Sequence, residues 1–247
     1  MESPAQSASA PLPGDLPTWP CAPPLSLRID ATCGRARATT IVLPHGPIET
    51  PVFMPVGTKG SVKGLVVEQL EEAPLDLKIL LGNTYHLGSR PGPEVLRAAG
   101  GMHGLMRWSR NILTDSGGFQ MVSLLKLAHI TEEGVNFEHP EDGTQMMLTP
   151  EKSIDLQNAI GSDVMMMLDD VVSSVSPDAA RFAEATARTT RWLDRCIRAH
   201  ARPTDQCLFA IVQGGLDVSA GGLREQSLRD LQLRDEWLGG YAIGGLA

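Results

Sequence analysis

The stretch Ile112-Leu-Thr-Asp-Ser-Gly-Gly-Phe-Gln120 sets the fold of this chain. It is a short apolar run that ends abruptly in a carboxylate, a hydroxyl and two glycines. An unbroken apolar run, rather than an alternating one, favours a strand buried on both faces, as in a parallel sheet. Asp115 then sits at the carboxyl end of that strand, and Gly117 and Gly118 let a ligand approach the backbone closely. Asp-Ser is also good helix-capping chemistry, so a cap for the following helix is the competing reading of Asp115.

The same arrangement recurs on both sides. Apolar runs at 51–56, 77–81, 164–168, 208–212 and 241–243 end in Gly57-Thr58, Gly82-Asn-Thr-Tyr-His86, Asp169-Asp170, Gln213-Gly-Gly215 and Gly244-Gly245. Amphipathic stretches separate them. Thr149 and Pro150 open a helix that stops at Gly161. Ser176 and Pro177 open another to about Ala201, with Ala179, Phe182, Ala183, Thr186, Leu193 and Ile197 expected on its packing face. Strand–helix alternation predicts an α/β protein. Polar and glycine residues at many strand ends, rather than at one switch point, predict a TIM-type (β/α)8 barrel with its site at the carboxyl ends. About six of the eight units are found, so 27–247 is expected to be a partial barrel. Thr39-Thr-Ile-Val-Leu43 and the turn Pro44-His-Gly46 suggest a hairpin that caps the bottom of the barrel. Residues 1–26, rich in Pro, Ala and Ser, read as a disordered tail that Trp19 alone could dock.

Composition narrows the function. The net charge of −8 points away from nucleic acid, whose phosphates call for clustered Lys and Arg. No apolar run reaches membrane-spanning length, and the N-terminus lacks the apolar core of a secretory signal. Cys21, Cys33, Cys196 and Cys207 form no CxxC pair and have no His at zinc-ligand spacing, so reduced thiols and no metal site are expected.

Around Asp115 a hydrogen-bonding set converges from other strand ends. One of Asp169 and Asp170 should point into the mouth while its neighbour faces away, because adjacent side chains on a strand alternate. A pair of solvated loop acids is the alternative. Gln213, Gly245 and Asn83 add an amide and exposed backbone N–H groups, and Phe119 offers a face for stacking a flat ligand. Such a set suits the edge of a nucleobase, since a wrong ligand leaves buried partners unpaired. His86 reads as a structural histidine in a strand-end turn, with a catalytic role as the alternative, and Met165, Met166 and Met167 as core filler.

Met54-Pro-Val-Gly-Thr58, Leu81-Gly-Asn-Thr-Tyr-His86, Arg90-Pro-Gly92, Leu113-Thr-Asp-Ser-Gly-Gly-Phe-Gln120, Glu133-Gly-Val135, Pro150-Glu-Lys-Ser153, Gly161-Ser-Asp163 and Tyr241-Ala-Ile-Gly-Gly-Leu246 resemble, in order, the tRNA-guanine transglycosylases. Asp169-Asp-Val-Val-Ser-Ser174 and Gln213-Gly-Gly-Leu-Asp217 resemble the eukaryotic catalytic type. The resemblance implies a pentosyltransferase that replaces guanine with queuine at the wobble position of tRNAs with GU(N) anticodons, those for Asp, Asn, His and Tyr. It implies Asp115 as general acid/base. Ser116, Gly117, Gly118, Phe119, Asp169, Gln213 and Gly245, with Asp115, would grip the base. It further implies tRNA as partner, a homologous non-catalytic subunit in a heterodimer, zinc in the full-length protein, and a cytoplasmic enzyme peripheral to the mitochondrial outer membrane. The family's nucleophilic aspartate, in a segment resembling Phe-Asp-Cys-Val-x-Pro-Thr-Arg, and its zinc ligands, a Cys-x-Cys-x-x-Cys pattern plus a histidine, do not occur in these 247 residues. This chain alone is therefore expected to bind no zinc and to lack exchange activity. The alternative is a truncated, inactive isoform that binds base or a subunit.

Overall fold

The computed structural model describes residues 12–118, 129–138 and 145–246. Strands β1 (Ser26–Cys33), β2 (Ala36–Leu43) and β3 (Gly46–Thr50) form an antiparallel sheet. After helix α1 (Val67–Glu71) comes β4 (Ile79–Gly82), then three short helices, α2 (Thr84–Ser89), α3 (Pro93–Ala98) and α4 (Gly101–Met106), and β5 (Asn111–Thr114). An inserted antiparallel sheet follows, made of β6 (His129–Ile130), β7 (Val135–Glu138) and β8 (Gln145–Leu148). The chain then runs through α5 (Pro150–Ile160), β9 (Val164–Met166), α6 (Ala179–Ala199), β10 (Cys207–Val212), α7 (Leu223–Gln232) and β11 (Gly240–Ile243).

The central sheet is parallel, with the order β4-β5-β9-β10-β11, which is the order of the sequence. A doubly wound sheet would reverse somewhere, and this one does not. Its strands are short and apolar on both faces, as the unbroken runs require: Leu80 stands beside Ile112, Leu113 beside Val164, and Met165 beside Leu208. No closed barrel forms among the described residues. The expected first strand at 51–56 is not one. Pro51 and Pro55 remove two donors from any ladder, Phe53 is 80% exposed, and pairing shrinks to a single bridge between Val56 and Leu81.

The hairpin β2–β3 closes the sheet from below. Leu43 and Ile48 pack on Ile79, Leu113, Val164 and Cys207, near the amino ends of four parallel strands. Trp192, Leu193, Cys196 and Ile197 of α6 pack on Met165, Leu208 and Ala210, so Met165 is core filler as read. Leu87, Leu96, Met102 and Ile160 pack on Leu80 and Ile112.

Helix α5 starts and stops as its sequence predicts. Thr149 accepts from the Lys152 N–H at 3.2 Å, and Gly161 ends it at φ 74°. Helix α6 differs in two ways. Asp178, not Ser176, is its N-cap and accepts from the Arg181 N–H at 2.9 Å. Ala179 and Ala183 are exposed, because the first turns of α6 overhang the sheet and meet it through polar groups. The stretch 218–240 holds α7 and a short 3-10 turn at Asp235–Trp237. Within the segment read as a tail, residues 12–25 run along the amino-end side of the sheet: the Pro17 carbonyl accepts from Trp237 Nε1 at 2.7 Å, and Trp19 meets the His200 ring edge-on.

Candidate active site

Asp115 lies just beyond β5, where the strand ends and the chain turns through Gly117 at φ 79°. Its carboxylate is held on three sides. Asn83 Nδ2 donates at 2.6 Å, the Thr84 N–H at 3.0 Å and the Gly117 N–H at 3.0 Å. Thr84 Oγ1 also donates to the Asp115 carbonyl at 2.5 Å. The capping reading therefore holds in part: Asp115 receives the first N–H of α2, the helix that follows the neighbouring strand β4. These donors fix the orientation of the group. Asn83, raised by sequence as an addition to the site, acts by fixing Asp115.

Ser116 links this strand end to the next. The Ser153 hydroxyl of α5 fixes its carbonyl at 2.8 Å, and its own hydroxyl reaches Asp169. A side chain at Gly118 would meet Leu168 Cδ1 at 2.8 Å, so the glycine lets the loop after β5 lie against the end of β9. Phe119 lies outside the described residues.

Asp169 and Asp170 diverge as expected, although β9 ends at Met166 and both lie beyond it. Asp169 is buried and accepts a hydrogen bond from Gln213 Nε2. Burial raises its carboxyl to about 6, against the lowering effect of Gln213 and with a further push from Asp170. Asp170 turns the other way, into α6, where Arg181 Nη1 at 2.8 Å and Arg188 Nη1 at 2.5 Å neutralise it. The sequence showed both acids but not these two arginines, which lie 11 and 18 residues away on the exposed-looking start of a helix.

Gln213 ends β10 and is buried, its N–H held by Ser227 Oγ of α7 at 3.1 Å. Gly244 and Gly245 follow β11 beside it. A side chain at 245 would meet Gln213 Oε1 at 2.7 Å, and one at 244 would come 3.6 Å from Asp169 Oδ2. The strand ends of β9, β10 and β11 thus converge on one carboxylate–amide pair, with Asp115 joined to it through Ser116. His86 sits in α2 with its imidazole lowered by burial and by Lys59.

A second polar cluster lies at the opposite, amino end. Asp163 accepts from His45 Nδ1 at 2.6 Å, from the Ile112 N–H at 2.8 Å, from the His45 N–H at 3.3 Å and from His103 Nε2 at 3.3 Å. The two imidazoles stack at 3.7 Å, and His103 Nε2 also meets the Arg110 carbonyl at 2.9 Å. The ligating atoms lie within 4.8 Å of one another, so the group could hold a metal ion. The expectation that this chain offers no metal site is revised accordingly. Spacing could not reveal it, because the three residues come from the hairpin turn, α4 and the start of β9. The donor set, two imidazoles and a carboxylate, is not the thiolate set that the resemblance implied, and its hydrogen bonds already pin the hairpin to the sheet.

Fold and site together define an α/β protein with a built carboxylate–amide site at the carboxyl ends of parallel strands, where enzymes of this architecture do their chemistry. Residues 31–247 match the sequence model of the family described as queuine tRNA-ribosyltransferase, and the chain belongs to that family. It is 57% identical over 227 residues to the queuine tRNA-ribosyltransferase catalytic subunit of Schizosaccharomyces pombe, covering 91% of this chain and 54% of that one. It is 53% identical over 218 residues to the catalytic subunit of Caenorhabditis elegans (88% and 52%). It is 49% identical over 215 residues to the queuine tRNA-ribosyltransferase of Staphylococcus aureus (86% and 54%). The chain spans about half the length of these relatives.

Proposed function

We propose that the strand-end groups bind a purine-type base and serve a pentosyltransferase that replaces guanine with queuine at the wobble position of tRNAs with GU(N) anticodons. The observation that carries this reading is the buried Asp169–Gln213 pair beside Gly245. A carboxylate accepts from two adjacent N–H groups, such as those on the edge of guanine, while an amide can both donate and accept. A ligand without that pattern would leave buried partners unpaired, which penalises it heavily. Family membership supports the same assignment.

In this reading Asp115 is the general acid/base. It gives a proton to the departing guanine as the glycosidic bond breaks, and takes one from the incoming base as the new bond forms. Ribose would meanwhile be held on an aspartate nucleophile carried by the part of the relatives that this chain does not span. Zinc, a heterodimer with a homologous non-catalytic subunit, and a cytoplasmic location peripheral to the mitochondrial outer membrane belong to the same reading. So does closure of the sheet into an eight-unit barrel, supported by the unreversed strand order and by the exposed Phe53, Val56 and Ile243 near its two outer edges.

Equilibrium dialysis of labelled guanine against the purified chain tests the reading. Saturable binding that Asp169→Asn weakens is expected, with no transfer of label into tRNA by the chain alone. Binding without transfer also fits a base-binding module. Transfer into tRNA would refute the division of labour between the two halves, and no guanine binding would refute the base reading.

A further inference from the structure

Arg224 is the second residue of α7, an unusual place for an arginine because the first turn of a helix carries the positive end of its dipole. Among the described residues no carboxylate is paired with it. Its guanidinium donates to three backbone carbonyls: Nε to Gly215 at 2.6 Å, Nη2 to Gly244 at 2.7 Å and Nη1 to Val212 at 3.2 Å. Desolvation lowers its pKa from the ordinary value, with no charged partner to oppose it. A cation held this way has a local reason to be elsewhere, and the three carbonyls supply the reason it stays.

Those carbonyls belong to the two turns that carry Gln213 and Gly245. Both turns need conformations that side chains resist: Gly214 lies at φ 119°, Gly215 at 57° and Gly245 at 64°. Nothing in glycine backbones of this kind fixes the direction of a peptide plane, since glycine populates several wells at similar cost. Arg224 fixes it from outside. In a trans peptide the carbonyl and the N–H point in opposite directions. Once the Gly244 carbonyl is turned to α7, the Gly245 N–H is turned away from α7.

We propose that Arg224 is a specificity-determining positioning residue, which holds the β10 and β11 end turns so that the Gly245 N–H stands as a hydrogen-bond donor to a ring carbonyl oxygen of the bound base. This rests on the base-binding reading above and adds to it the residue that sets the direction of the Gly245 N–H.

The test compares guanine with 2-aminopurine, a purine that lacks the ring carbonyl and the neighbouring N1–H, by the change each shows between the wild-type chain and Arg224→Ala in dialysis. Loss of one well-placed hydrogen bond to a buried group corresponds to about tenfold in affinity. Arg224→Ala should weaken guanine binding about tenfold and leave 2-aminopurine binding unchanged, so that the preference between them shrinks. A structural role alone would weaken both alike, and equal losses, or no loss of guanine binding, overturn the proposal. Arg224→Lys keeps the charge and reaches fewer carbonyls. It should show the same selective loss to a smaller degree, and it serves if circular dichroism shows that the alanine variant is unfolded. A wild-type chain that binds neither purine overturns the base reading and this inference with it, whereas wild-type binding followed by equal losses overturns only the role of Arg224.

Discussion

Replacing Asp169 by Asn should make the protein more stable near neutral pH, and the gain should vanish in acid. Burial raises the Asp169 carboxyl from the ordinary 3.8 to about 6. In the unfolded chain the group returns to its ordinary value, so between about pH 4 and pH 6 the folded state binds the extra proton. A group of this kind contributes stability at low pH that is lost as pH rises through the folded pKa. At about 1.4 kcal/mol for each tenfold change, the loss on going from pH 4 to pH 7 is about 3 kcal/mol. Asparagine is neutral throughout and escapes it. Urea denaturation followed by circular dichroism at several pH values from 4 to 7, on both proteins, measures the difference in stability between them. That difference should swing by about 3 kcal/mol in favour of Asp169→Asn as pH rises. Taking the difference cancels titrations elsewhere, such as that of Asp163. A difference that stays flat, or that moves toward the wild type, would refute the reasoning that burial, and not a hydrogen-bonded anion, governs this carboxyl. The same titration bears on function. An ionised Asp169 only accepts hydrogen bonds, while a neutral one also donates, so the ligand's preferred edge should change below about pH 6.

Two further outcomes follow from the geometry. Arg234 donates to Asp194 at 2.8 Å and 3.0 Å with both side chains buried, so Asp194→Ala breaks a buried ion pair and should cost about 3–5 kcal/mol in denaturant unfolding; a cost under about 1 kcal/mol would mean that water reaches the site. Gly245→Ala forces an L side chain to φ 64° and drives it against Gln213 Oε1 at 2.7 Å. Stability should fall by about 1–2 kcal/mol, and guanine binding should fall by more than that strain alone accounts for, because the amide is displaced; calorimetry of both quantities on the same variant separates the two effects.

Sequence patterning determined the parallel α/β class here because strands buried on both faces must be apolar throughout, and 112–114, 164–166 and 208–212 could be little else. It also determined α5, since Thr149-Pro150 at one end and Gly161 at the other are local chemistry, satisfied within a turn. The strand-end positions of Asp115, Asp169, Gln213 and Gly245 followed for the same reason: each is adjacent in sequence to an apolar run. What patterning could not decide was every relation between distant segments. The run 51–56 reads as a buried strand from its apolar content, and only the packed sheet reduces its pairing to a single bridge. Ser176 reads as the cap of α6 from local sequence, and only the trajectory of the helix moves the cap to Asp178. Likewise the carbonyls that hold Arg224, the arginines that neutralise Asp170 and the gathering of His45, His103 and Asp163 rest on side chains far apart in the chain. Local sequence fixes which groups an element offers and on which face. Only the packed sheet, by setting strand order and register, fixes which of those groups meet.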